Sequence, residues 1–493
     1  MVAQAVVERL AGMLTNIVLA RVLGTKAFGA YSIIATTANS VYGITRMGVE
    51  TALVVRTTQF GANGDTESQG EMLGAGLWLM LLAAALALFT CIVFAELIAS
   101  GLLADTSLTG WIRIAGLWAF CLCLTQFCYA AMSGLQHFVA YSKVAAILAV
   151  TQTLAVSIAA WMFSLAGAVW AMIAAQSLCV AILAITLRRQ LGVRQIFATL
   201  QHFDDRAREL LAFGLPFYAA SLVALPVTYY LQSTLARRAG LETLGYLRVI
   251  LAFATIVTFV PTTTATTILV MLTTSTRTEH YATRIIQSIK FISLLSMVVA
   301  GALTLALPTL LPLFFGARYD HSIVAAQIAV VSAALATISQ VVTNVLLSVD
   351  RVKLAFLATA MHMFIFFVGG AFLVTSHGLM GYVFADFIGH STRLIGTYGC
   401  ALPWLRRHGT ASQDITKLGA VVSLFAIGNI SIIADRPFPP ILFQSCVQLA
   451  VCILGYYTIL DGGERHILAH TLGSHTLQDF RRRFRSMTHS WHA

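Results

Sequence analysis

Residues 19–31 read LARVLGTKAFGAY and residues 235–247 read LARRAGLETLGYL, so the pattern LARxxGxxxxG occurs twice, 216 residues apart. Each copy is a short charged turn between two long apolar runs. Two further pairs follow in the same order at almost the same spacing. SGLQHFVAY at 133–141 aligns with SVDRVKLAF at 348–356, and GAVWA at 167–171 aligns with GYVFA at 381–385. Three ordered matches at nearly one offset point to an internal duplication.

The runs between these turns set the fold class. The 493 residues are 58% hydrophobic and 10% charged, whereas soluble domains carry about 25% charged residues. The apolar runs are long and continuous, unlike the alternating ten-residue segments of a β-barrel, so the chain reads as an all-α polytopic membrane protein. With roughly 20 apolar residues per crossing, about fourteen spans are expected: 3–22, 29–54, 72–99, 111–133, 143–164, 166–187, 210–235, 244–272, 285–307, 323–347, 354–375, 378–400, 417–434 and 440–460. The repeat divides the first twelve into two six-helix halves. An even number of spans gives both halves the same orientation, a parallel repeat about an axis along the membrane normal that encloses a central cavity. The expected organisation is an N-terminal bundle at 1–187, a linker at 188–209, a C-terminal bundle at 210–400, a loop at 401–416, an extra helix pair at 417–460 and a basic tail at 461–493.

The formal charge of +11 is spread over the connections, which fits topology and gives no reason to expect a nucleic-acid partner. One side of the membrane holds only Arg21, Lys26, Arg113, Arg237, Arg238, Arg318 and Arg436. The opposite side holds most of the rest, including the RRRFR of the tail at 481–485. The positive-inside bias therefore places both termini in the cytoplasm. All eight cysteines lie in apolar runs and none forms a CxxC pair. They read as small buried hydrophobes, and neither a metal nor a cofactor is expected.

Charged residues inside spans are costly and face the protein interior or a wet cavity. Arg46 and Glu50 lie four apart on span 2, Arg9 lies on span 1 beside Glu8, and Arg248 lies near the start of span 8. Asp386, His390 and Arg393 lie on span 12. Two readings stand. Arg46, Arg248 and Arg9 can form a cationic cavity for an anionic headgroup, since a guanidinium fork matches phosphate oxygens. Alternatively, the charged groups pair and lock helices together. Glu50, Asp386, His390 and Arg393 are candidates for either coupling or pairing. Arg21 and Arg237 end spans 1 and 7, where a helix C-terminus favours cations. Pro216, Pro226 and Pro261 are expected to kink spans 7 and 8.

LARVLGTKAFGAYS followed by RMGVETALVVR, and later LARRAGLETLGYLRV, resemble the lipid-linked oligosaccharide (O-antigen) flippases of the MOP superfamily over roughly residues 5–400. The resemblance implies translocation of undecaprenyl-diphosphate-linked oligosaccharide across the bacterial inner membrane by alternating access, for O-antigen, capsule or exopolysaccharide assembly. It also implies membrane lipid, a polysaccharide polymerase and chain-length machinery as partners, and no catalytic residues. The lipid II flippase branch is similar. There an early arginine in an R-x-x-G setting helps bind the diphosphate, and Arg9 with Gly12 in ERLAG matches it; Arg248 and, about one turn out of register, Arg46 match its other cavity arginines. Relatives carry more residues before the first helix, implying a start upstream of Met1. Many also carry an acidic residue midway along span 7; here the sequence offers only polar Gln232, near the end of that span, so the resemblance leaves a coupling cation site there without its usual acid. A multidrug or cation antiporter of the same superfamily predicts more intramembrane acids than this chain holds. A membrane glycan polymerase or ligase requires a large outer loop, which is lacking among these short connections.

Overall fold

The computed structural model describes residues 2–190, 203–274, 281–348 and 351–407, with isolated positions between 417 and 425. The expected helices at 417–434 and 440–460, with Cys446 and Cys452, lie outside the described residues. Everything regular among the described residues is helical, because within lipid a helix satisfies every backbone polar group locally.

Eight helices are long and apolar enough to cross a membrane. Three are far too long for one crossing. Val2–Thr45 has 44 residues, Phe138–Gln190 has 53 and Val352–Arg407 has 56, or about 66 to 84 Å of helix against a hydrocarbon core of about 30 Å. Each folds back at a backbone break. Gly24 (φ 72, ψ 175) separates spans 1 and 2, Ser164 (φ 53, ψ −137) separates spans 5 and 6, and Gly378 (φ 56, ψ −126) separates spans 11 and 12. Ser164 and Gly378 share one conformation at an offset of 214, the spacing of GAVWA and GYVFA. Three residues past each break, a Cβ on Gly167 or Gly381 would overlap the carbonyl oxygen of the residue eight earlier, Ala159 or Leu373. Only a reversed chain brings such residues together, so both pairs are tight helical hairpins.

Spans 3 and 4 are Thr66–Val93 and Thr109–Gly134, and span 7 is Phe203–Ala239. Spans 8, 9 and 10 are Leu241–Thr274, Tyr281–Phe315 and Ile323–Ser348. Span 3 starts on Asp65, which accepts a capping bond from the Ser68 N–H at 3.0 Å. The Ser68 hydroxyl and N–H hold the Asp65 carboxyl below the usual carboxylate range. The turns after spans 4 and 10 also match: the His137 N–H donates to Met132 O at 3.1 Å and the Arg351 N–H to Leu346 O at 2.8 Å. These bonds are 214 residues apart, so the offset of 215 read from the sequence there is one residue too long.

Pro216, Pro226 and Pro261 lie within helices Phe203–Ala239 and Leu241–Thr274. A break that the sequence did not announce lies in span 2, where helix Val2–Thr45 ends and helix Val49–Ala62 begins. Met47 (φ 47) and Gly48 (φ 74) take left-handed conformations there. Gly48 meets the backbone of Gly214 on span 7, and a Cβ on Gly214 would lie 2.7 Å from Gly48 O. The backbones meet so closely that neither position has room for a side chain.

The described cysteines are free; Cys91, Cys121, Cys123, Cys128 and Cys179 are buried and Cys400 is half-buried. One apolar core runs from Leu19 and Phe28 through Trp118 and Phe253 to Val374, and a second surrounds Leu53, Met80 and Phe127.

Candidate functional site

Spans 1 and 2 meet spans 7 and 8 along a seam built from small and polar residues. Gly29 on span 2 has the Leu241 carbonyl where a Cβ would stand, and Gly245 on span 8 has Thr25 O at 2.5 Å from its Cβ position. Adding 216 to 25 and 29 gives 241 and 245, so exchanging the halves exchanges these two contacts. Further along, the Thr37 and Tyr229 hydroxyls lie 2.9 Å apart, and the Tyr218 hydroxyl donates to Ile44 O at 2.6 Å.

Arg248 projects into this seam, and its Nε donates to Asn16 Oδ1 on span 1 at 3.4 Å. Span 1 climbs to Gly24 while span 8 descends from Gly240, and both residues are eight positions from their turn glycine, hence level with each other. Asn16 was not singled out from the sequence, because one amide in an apolar run gives no pattern. Arg9 lies seven residues before Asn16, on the same helical face. It is exposed, level with exposed Thr255 of span 8. Among the described residues no carboxylate oxygen lies within ion-pair distance of Arg9 or Arg248.

Arg46 is placed differently. It sits in the broken turn of span 2, where its Nη1 lies 3.1 Å from Glu50 Oε2 and 3.4 Å from the Tyr42 hydroxyl. The Tyr42 hydroxyl donates to Glu50 Oε1 at 2.5 Å, and its ring lies 5.5 Å from the guanidinium. Arg46 and Glu50 therefore make contact, but across a turn rather than on the one continuous helix face read from their spacing. At 1.5 Å per residue, Arg248, Arg9 and Arg46 lie about 12, 22 and 33 Å from the level of the turn glycines. They form three levels about 10 Å apart rather than one cluster.

The span-12 group is a separate site. Asp386 and His390 share a helical face, with His390 Nε2 at 3.6 Å from Asp386 Oδ1. The Ser332 hydroxyl donates to Asp386 Oδ2 at 2.5 Å. Arg393 turns from them to Gln340 Oε1 at 2.7 Å. His362 of span 11 stacks on His390 with ring centroids 4.2 Å apart; sequence reading missed it because it lies 28 positions away. Gln232 donates to the Tyr382 hydroxyl at 3.5 Å.

A cavity of about 190 Å³ lies among spans 1, 4, 5 and 6, lined by Glu8, Gln126, Gln152, Gln176 and neighbouring threonines. A hydrogen-bonded chain runs along it, from Thr125 to Gln176 at 3.0 Å and from Gln176 to Gln152 at 3.3 Å. The sequence reading did not single it out; glutamines in mid-span are the signal that points to it. Arg21 donates to Phe314 O at 2.7 Å and to Leu313 O. It therefore serves the C-terminal carbonyls of span 9 rather than those of its own helix. Arg237 donates to Gly101 O at 3.5 Å.

The family pattern described as "Polysaccharide biosynthesis protein" matches residues 1–270, which include Arg9, Arg46 and Arg248. The chain belongs to this family. Its fold is similar to that of the lipid II flippase MurJ in an inward closed conformation, with a TM-score of 0.69 at 12% identity over 92% of this chain and 98% of that one. It is also similar to an inward-facing multidrug resistance MATE family transporter of the MOP superfamily, with a TM-score of 0.64 at 14% identity over 84% and 96%. A MOP superfamily transporter from Pyrococcus furiosus aligns with a TM-score of 0.55 at 15% identity over 85% and 95%. No curated protein matches. The chain is thus a member of this family with the fold of these proteins, and eight of its described helices are long and apolar enough to cross a membrane.

Proposed function

We propose that the protein flips undecaprenyl-diphosphate-linked oligosaccharide across the bacterial inner membrane by alternating access, with both termini cytoplasmic. The observation that carries this reading is the set of three guanidiniums spaced along the seam of spans 1, 2 and 8. Two of them, Arg9 and Arg248, have no carboxylate partner among the described residues. A diphosphate is the anion that such forks fit. Arg46, already neutralised by Glu50, sits nearest the proposed cytoplasmic side. Arg9 is the exposed middle level, and Arg248 is the level nearest the proposed outer side.

In the cycle, the diphosphate moves between these levels while the sugars occupy the aqueous space between the halves. The polyprenyl tail stays in lipid, entering between spans 1 and 8 at the level of Arg9 and Thr255. The two halves part and rejoin at the glycine contact to expose the site alternately. The glycan would pass to a polymerase and its chain-length machinery. The chain's own role needs no bond making or breaking, so no catalytic residue is assigned.

The test is export in cells lacking the native gene and carrying Arg9→Ala or Arg248→Ala. Each loses a charge-assisted phosphate contact of about 1.5–3 kcal/mol, about a 10- to 150-fold weaker hold on the headgroup. Surface glycan should fall and lipid-linked oligosaccharide should accumulate on the cytoplasmic leaflet, at unchanged protein level. Full export by both variants would overturn the assignment.

A further inference from the structure

The three imidazole and carboxylate groups between spans 11 and 12 have no part in the arginine seam. His362, Asp386 and His390 each bring one donor atom to a common point, all within 4.8 Å of one another. His362 is 2% exposed, and neither of its ring nitrogens has a hydrogen-bond partner; nor has Nδ1 of His390. Burying an imidazole this way costs free energy unless something fills the gap. The backbone also leaves room for the ring. A Cβ at position 389 would lie 2.8 Å from His362 Cδ2 and 3.2 Å from its Nε2, so Gly389 admits the imidazole between the helices.

We propose that this cluster is a binding site for one divalent transition-metal ion of the zinc type, held by His362, Asp386 and His390. Two nitrogen donors and one carboxylate suit Zn²⁺ and its neighbours in the first transition row. Ca²⁺ and Mg²⁺ ask for shells of oxygen that this cluster does not supply. Tetrahedral ligands about 2.0–2.1 Å from zinc stand about 3.4 Å apart, so binding draws the groups together by up to about 1.4 Å. The supporting contacts match such a site. Ser332 on span 10 fixes Asp386 by its second oxygen, as outer hydrogen bonds orient metal ligands. Arg393 directs its charge to Gln340 and Thr343 on span 10 and leaves the carboxylate to the cation. Three protein ligands leave the fourth position open. The ion would pin span 11 to span 12 within the second half of the repeat.

The test uses the purified full-length protein in detergent, stripped with chelator and equilibrated with Zn²⁺. Bound zinc per chain is compared between the wild type, His362→Gln and His390→Gln. His466, His470, His475, His489 and His492 of the tail are common to all three proteins, so the difference isolates the buried site. Each variant should hold one equivalent fewer, and equal zinc content in all three would overturn the proposal. Co²⁺ gives a second readout that needs no variant: the wild type should show the intense visible absorption of four-coordinate cobalt. Only the weak six-coordinate spectrum would overturn the site even if the variants fail to fold. Neither result depends on which substrate crosses the membrane.

Discussion

Gly29 and Gly245 face each other across the seam, each leaving the space of a side chain to the backbone of the other's segment. Their partners, Leu241 and Thr25, are related by the same 216-residue offset. The contact is therefore of the self-complementary kind found between identical subunits, here within one chain. Gly29→Ala and Gly245→Ala should both push the seam apart and shift the population toward the state open on the turn-glycine face. Labelling of a cysteine placed at Thr37, inside the seam, should rise in both variants. The double variant should fall short of the summed effect, because the two positions share one contact. Unchanged labelling in both would mean that the contact is not a gate.

Ser164 carries a conformation that suits glycine, as its counterpart Gly378 shows. A side chain at φ 53 and ψ −137 is strained by about 1–3 kcal/mol. Ser164→Gly should therefore stabilise the protein by about 1 kcal/mol, and Gly378→Ala should destabilise it by a similar amount. Thermal unfolding in detergent measures both. Gly167→Ala and Gly381→Ala should each cost about 1–3 kcal/mol, since a methyl there meets backbone that cannot retreat.

Arg46 and Glu50 should behave as a pair. The contact is part-buried, so a double-mutant cycle with Arg46→Ala and Glu50→Ala should give a coupling of about 1 kcal/mol in unfolding. Zero coupling would show that the two charges are solvated separately and would leave Arg46 free to act as a binding cation.

Arg206 joins three helices at the end of the molecule opposite the turn glycines. Its Nη2 lies 3.0 Å from Glu71 of span 3 and its Nη1 lies 3.4 Å from Glu209 on its own span 7, while Arg56 of span 2 reaches Glu209 at 3.2 Å. The Phe60 ring lies 5.0 Å from the Arg206 guanidinium. Arg206→Lys keeps the charge but loses the planar fork, and should loosen span 7 from spans 2 and 3 nearly as much as Arg206→Ala. Protease sensitivity of the segment around residues 203–214 should rise in both. Protection equal to the wild type in the lysine variant would assign the role to charge alone.

Much of this was legible in the sequence because it is written in residues with one physical use. LARxxGxxxxG announced a turn, though not the close helix contact at its second glycine. The apolar runs announced crossings, and both were found. Arg46 and Glu50, read as either a binding cation with its support or a helix-locking pair, lie 3.1 Å apart. What stayed hidden depends on packing between distant segments. His362 joins Asp386 only because span 11 folds back on span 12 at Gly378. Asn16 finds Arg248 across 232 positions. The break in span 2 was invisible because Met47 and Gly48 turn left-handed to let Gly214 approach, and local propensity carries no record of that neighbour.

The two ends of the molecule thus differ in symmetry. The glycine contact looks the same from either half, so parting it asks equal movement of both and favours neither. The Arg206 junction has no such image, since the positions 216 residues after Arg56 and Glu71 are Leu272 and Gln287, neither of them charged. One end is a contact shared by twins; the other is a clasp sewn onto one of them.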